Sequence, residues 1–281
     1  MANVVLRAQG RQITARGLRD LALKIVFEPR VLSVATLAVL WVIGSQFIPA
    51  AIPPVEQMQK ALARVARDNM LLPIFSTMHR LVLGWLSAMI VGLAIGVLMG
   101  SKAWWNAGLH DYVMLLLSLP GLVWAILAVV WFGDKIWATI VAVTIVCSPF
   151  VVVNIYEGVR NVDKELLDMS RAYGVDTRQM LRRVVVPSIM PFFVAAARIA
   201  FAHGWKATAI VEIFGGPSGI SYEIQEWFGL VNIPAVLIWV GVFALLLLTI
   251  EYGIFAPVQK YLFRWRPDVG SVLSGGQSSA A

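Results

Sequence analysis

The sequence predicts an all-α integral membrane protein of six transmembrane helices with one capped helical hairpin outside the bilayer. Three observations predict it. Of 281 residues, 59% are hydrophobic and 14% charged, whereas a soluble domain carries about 25% charge. Six apolar runs, 31–49, 81–99, 112–133, 136–156, 188–210 and 233–250, approach or exceed the ~20 residues that cross a bilayer core. The basic residues then fall almost entirely on one side of a six-span chain, as the positive-inside rule requires. No polar stretch is long enough to fold alone, so a single membrane domain is expected at 31–257, with a basic arm at 1–30 and a tail at 258–281.

The elements follow in order. In the arm, Leu18, Leu21, Leu23, Ile25 and Val26 alternate with Arg19, Asp20 and Lys24, which fits an interfacial helix on the inner leaflet or a disordered basic segment. The first apolar run is too long for a signal-peptide core and lacks an A-x-A site behind it, so it reads as an anchor. Between the first two runs, Val55, Met58, Leu62 and Val65 follow helical spacing after Pro53-Pro54 and predict a short helix along the outer surface. The second run sets Gly84, Ala88, Gly92, Gly96 and Gly100 four apart, a small-residue ridge for close packing within the chain or across a dimer. Pro120 and Pro149 predict kinks in the third and fourth runs. Cys147 is the single cysteine, which excludes an internal disulfide framework. The closing SGGQSSAA reads as a flexible tail.

Charge fixes the orientation. With both termini cytoplasmic, sixteen basic residues lie inside, among them Arg7, Arg11, Arg16, Lys102, Arg160, Lys164 and Lys260. Only Lys60, Arg64, Arg67 and Lys135 lie outside. The net charge of +7 is thereby explained by topology and lipid contact, without nucleic acid.

The polar island at 157–187 is the most informative stretch. Asp163 can cap a helix from Lys164, with Leu166, Met169 and Tyr173 on one face. Gly174 is a left-handed stop. Asp176 can cap a second helix, with Gln179 at capping-box spacing. Met180, Leu181, Val184 and Val185 form its apolar side; Arg178, Arg182 and Arg183 form its polar side. Pro187 is expected to end this helix and return the chain to the membrane. A plain connection needs about two to eight residues. The hairpin therefore reads either as a plug for the bundle or as a docking element for a soluble partner.

Here the sequence resembles the membrane subunits of binding-protein-dependent ABC importers, in particular their sulfonate/nitrate/taurine branch. Their cytoplasmic loop carries E-A-A, three residues, Gly, nine residues and I-x-L-P. This chain has Asp168-Met169-Ser170, three residues, Gly174, nine residues and Val184-Val185-Val186-Pro187. Pro191, the run Arg198, Trp205, Glu212 and the segment Arg264-Trp265-Arg266-Pro267 also match, so the resemblance covers about 75–267. It departs in Asp for Glu and Met-Ser for Ala-Ala. The resemblance implies the six-helix fold of type I importer permeases. It implies a coupling helix in which Asp168, Met169, Ser170, Tyr173, Gly174 and Pro187 meet a separate ATP-binding subunit. It also implies a periplasmic or lipid-anchored binding protein, a second copy of the chain as homodimer, and the bacterial inner membrane as location. The chain would be non-catalytic, without cofactor or metal, the ATP being used by the partner. Consistently, it holds no Gly-x-x-x-x-Gly-Lys-Ser/Thr loop.

Ionisable residues in a span usually face a cavity or a partner. Arg198 and Glu212 project within about 40° of each other on a helical wheel, and Lys206 about 80° from Arg198. Arg198, Trp205, Lys206 and Glu212 are the candidate residues of the translocation path or gate, and the resemblance gives Arg198 and Glu212 to architecture or gating. Lys206 is expected to line the translocation path and favour an anionic solute; snorkelling, or pairing with Glu212, is the structural alternative. A secondary transporter or channel without an ATPase is the rival reading, and it leaves the capped hairpin without a use. Gly216-Pro217-Ser218-Gly219 also fits the G-x-S-G of rhomboid proteases. Those need a later histidine, and His79, His110 and His203 all precede Ser218.

Overall fold

The computed structural model describes residues 29–67 and 69–262. The expected arm helix over 18–26, the 264–267 segment and the SGGQSSAA tail lie outside the described residues. The chain divides into two compact units, 1–60 and 61–281. In the first, α1 (Pro29–Phe47) leads through a turn into α2 (Val55–Arg67), which runs on into the second. The second continues with α3 (Leu71–Ser101), α4 (Ala103–Ser118), α5 (Gly121–Phe132), α6 (Ile136–Arg160), α7 (Lys164–Ala172), α8 (Thr177–Met180), α9 (Val186–Gly215), α10 (Ile220–Gly229), α11 (Ile233–Ile250) and α12 (Ala256–Leu262). Wide turns of helix, Leu181–Val185 and Glu251–Phe255, join α8 to α9 and α11 to α12. All described elements are helical.

Four stretches, Leu71–Ser101, Ile136–Arg160, Thr177–Gly215 and Ile233–Leu262, are long and apolar enough to cross a membrane alone. The third predicted span is not one kinked helix. It is two, α4 and α5, meeting at 93°. Pro120 supplies no N–H to the carbonyl of Leu116, and Leu119 before it is held extended (φ −83°, ψ 133°). The indole of Trp124 donates to the Leu116 carbonyl instead, at 3.3 Å. The apolar part of α1, Ala35–Phe47, is shorter than a full span.

The core is α3, α6 and α9. The glycine ridge packs within the chain: Cβ atoms added at Gly84, Gly96 and Gly100 would lie 2.7, 2.8 and 2.6 Å from the Cβ of Val143, Ile155 and Val159. The register is constant, so α3 and α6 run parallel with their backbones close. α9 runs antiparallel to both. Gly158 faces Phe192, and Gly204 faces Val143 and Leu81. The Trp85 indole donates to the Ala197 carbonyl at 3.0 Å, and the buried Cys147 thiol to that of Ala200 at 3.1 Å. α5 covers one flank, its Ala125 and Ala128 packing with Ala138 and Ala142 of α6 and Val211 of α9. α10 and α11 gather around Val65, Ile220 and Trp239. In α2 the buried positions are Ala61 and Val65, while Val55 and Leu62 are exposed, a rotation of the expected apolar face. Outward-facing Ile90, Val130, Trp131 and Leu245 are exposed, as lipid-facing side chains are.

Candidate functional site

The hairpin forms as its residues dictate. The Asp163 carboxylate accepts from the Glu165 N–H at 2.8 Å and caps α7; that of Asp176 accepts from the Arg178 N–H at 3.1 Å and caps α8. Gly174 stands at φ +65°. The N–H groups of Gly174 and Val175 donate to the carbonyls of Arg171 and Ser170, both at 3.0 Å, which makes the end of α7 a Schellman turn. Leu166, Met169 and Tyr173 stay exposed, Tyr173 at 81%. Ser170 is buried, its hydroxyl donating to the Leu166 carbonyl at 2.7 Å. Among the described residues Asp168 pairs with Arg171 of its own helix, at 3.2 Å and in solvent, a contact of about 0–1 kcal/mol. A cavity of about 710 Å³, lined by Asp163, Leu166, Arg183, Val184, Pro187 and Phe192 among others, lies between hairpin and α9. The hairpin does not seal against the bundle there.

Pro187 does not end the second helix. Helix continues from Thr177 to Gly215. In the wide turn the Val186 N–H reaches back five residues to the Leu181 carbonyl, so the extra residue is absorbed just where proline has no N–H to give. The same device recurs before Pro257, where the Ala256 N–H donates to the Glu251 carbonyl.

Toward the far end of α9 lies a buried charge cluster. Glu212 has no exposed surface. Its carboxylate accepts from the Thr77 hydroxyl at 2.7 Å and the Ser221 N–H at 3.1 Å, and faces Arg80 at 3.8 Å. Arg80 donates to the Ser218 carbonyl at 2.5 Å and hydroxyl at 2.8 Å. The Ile220 N–H donates to Thr77 at 2.9 Å. The 216–221 loop is thus tied to α3 and α9 together. Gly219 takes φ +135°, and a Cβ there would strike the Glu212 carboxylate. In the sequence Arg80 stands just before the apolar run at 81, and nothing local marks Thr77 or Ser221. A lone arginine and a lone glutamate in apolar runs were the available signal.

A second charged pair lies nearer the hairpin. Arg198 makes an ion pair with Glu251 and donates to Gln259 at 3.0 Å. All three line a cavity of about 540 Å³ with Pro191, Val194 and Leu247. Arg198 and Glu212 share a helix face yet have different partners. Trp205 is buried among Phe201 and Phe243, its ring centroid 4.4 Å from that of Phe243. Lys206 is exposed and does not pair with Glu212, whose ionic partner is Arg80; six residues on a helix set the two about 120° apart.

Over residues 88–260 the chain matches the family described as binding-protein-dependent transport system inner membrane component. The taurine transport system permease protein TauC of Escherichia coli (strain K12) is 24% identical over 250 residues, covering 85% of this chain and 90% of that protein. The nitrate import permease protein NrtB of Synechocystis is 25% identical over 243 residues, covering 80% and 88%. The formylaminopyrimidine transport permease protein ThiX of Halalkalibacterium halodurans is 27% identical over 242 residues, covering 82% and 92%. Among solved structures, the inward facing MetNI methionine ABC transporter aligns with a TM-score of 0.60 at 18% identity, covering 69% of this chain and 95% of that one. That is a likeness of fold.

Proposed function

This chain belongs to the family of binding-protein-dependent transport system inner membrane components, and we propose that it is the permease subunit of an ATP-driven importer for a small anionic solute. Its six spans in this reading are α1, α3, the α4–α5 pair, α6, α9 and α11. Both termini and the hairpin face the cytoplasm, where the basic residues concentrate, in a bacterial inner membrane. A separate subunit binds and hydrolyses ATP, an external binding protein delivers the solute, and a second copy of the chain completes the pathway. The chain itself is non-catalytic and holds no cofactor or metal. Taurine and nitrate, named for two of its relatives, support an anionic solute.

The hairpin is the observation that carries this reading. Its helices are both capped, its turn is closed by backbone hydrogen bonds, and α8 passes into α9 without a break. An exposed face of Leu166, Met169 and Tyr173 beside Asp168 suits a cleft on a soluble partner, with Ser170 and Gly174 shaping the turn. A push on that face reaches a span directly instead of being lost in a loop. Alternating access then follows from rigid-body movement of spans.

Co-purification and ATP hydrolysis test it. The chain should hold its cognate ATP-binding subunit through detergent extraction, and a Met169→Asp/Tyr173→Asp variant should release it. Retention by that variant, or uptake with no ATP-hydrolysing subunit present, rejects the proposal. For the path, Lys206→Ala should raise the KM for an anionic solute by ~10-fold with assembly intact, a loss of about 1.4 kcal/mol; unchanged kinetics reject the role of Lys206.

A further inference from the structure

The break between α4 and α5 opens a cavity of about 210 Å³, lined by Leu119, Pro120, Trp124, Val146, Phe150 and His203 among others. That is below the ~300 Å³ at which ordinary ligand pockets begin. It suits a head group and not a large molecule. Its walls are aromatic and aliphatic except at His203, whose ring stacks on Phe150 with centroids 4.0 Å apart and planes at 21°. Among the described residues no hydrogen bond engages this imidazole, so its N–H is free to donate. Lys206 follows three residues on, within one turn of the same helix, and is exposed. Non-helical backbone at membrane depth is tolerated where it is buried or lines a polar cavity. An intramembrane ionisable residue beside a broken helix is the pattern of a solute site.

We propose that this cavity holds the oxyanion head of the transported solute, a sulfonate or nitrate group, with His203 donating a hydrogen bond and Lys206 supplying charge. The stacking on Phe150 fixes the imidazole plane, so His203 sets specificity by direction while Lys206 acts through its field. The inference rests on the reading of the chain as a permease for an anionic solute.

Thiol labelling tests it on the full chain in lipid nanodiscs. Cys147 is fully buried, so the unaltered chain gives the background. In Leu119→Cys, modification by methanethiosulfonate ethylsulfonate, itself a sulfonate, is compared with its cationic trimethylammonium analogue, each rate normalised to a free thiol. The anionic reagent should be favoured at least ~10-fold. Adding Lys206→Gln or His203→Phe should each lower that preference ~5-fold. Equal rates, a cationic preference, or reaction only with a membrane-permeant maleimide overturn the proposal, the last because the cavity then faces lipid. Val146→Cys reads the opposite wall with the same reagents, leaves the Phe150 ring in place, and decides the matter if Leu119→Cys fails to fold. Labelling does not require the ATP-binding subunit, so its failure is distinct from failure of ATPase association.

Discussion

Glu212 and Glu251 are both carboxylates beside an arginine, yet the chain holds them in opposite ways. Glu212 is sealed from solvent and receives a hydroxyl, a backbone N–H and the field of Arg80. Glu251 meets Arg198 on the wall of an open cavity, with side chains 25% and 45% exposed. The first cannot release its partner without stranding a buried charge. The second can exchange its partner for water or solute. Charge pairing alone therefore says little about role; burial and the number of satisfied groups separate a fixed joint from one that can open.

The strongest way to break this comparison is Glu212→Ala. It leaves Arg80 buried without its ionic partner, and the thermal midpoint in detergent should fall by the equivalent of about 3–5 kcal/mol. A loss under about 1 kcal/mol would mean the cluster is solvated. Next is a double-mutant cycle on Arg198→Gln and Glu251→Gln. Its coupling in stability should stay below about 1 kcal/mol, because exposed pairs contribute little; a larger coupling would place this pair in the same class as Glu212. The smallest expected effect is Tyr173→Ala, within about 0.5 kcal/mol of the parent in stability, while solute-stimulated ATP hydrolysis drops. A Tyr173→Ala chain that unfolds early would show the exposed face to be structural.

The hairpin was legible because its signals are local. Asp163, Gly174 and Asp176 each act within five residues, and each does what its side chain or missing Cβ requires. The glycine ridge was legible for the same reason, although only the structure shows α6 as its partner. The charge cluster was not, since Thr77 and Glu212 lie 135 residues apart in the chain. α3 begins at Leu71, ahead of the apolar run at 81, because His79 and Arg80 interrupt hydropathy without interrupting the helix. The prolines teach most. Pro120 breaks its helix and Pro187 does not. The residue type is the same; the helix widens ahead of Pro187 to absorb the missing N–H, whereas at Pro120 the nearby Trp124 indole takes up the freed Leu116 carbonyl and the helix breaks.

The interlocked row from Gly84 to Gly100 makes α3 and α6 a single beam. To slip by one residue, Val143, Ile155 and Val159 would have to climb over peptide planes with no room to spare. The paired helices run from Arg160 beside the hairpin to Thr77 and Arg80, so the cytoplasm-side elbow and the grip of α3 on the 216–221 loop are ends of one packed unit.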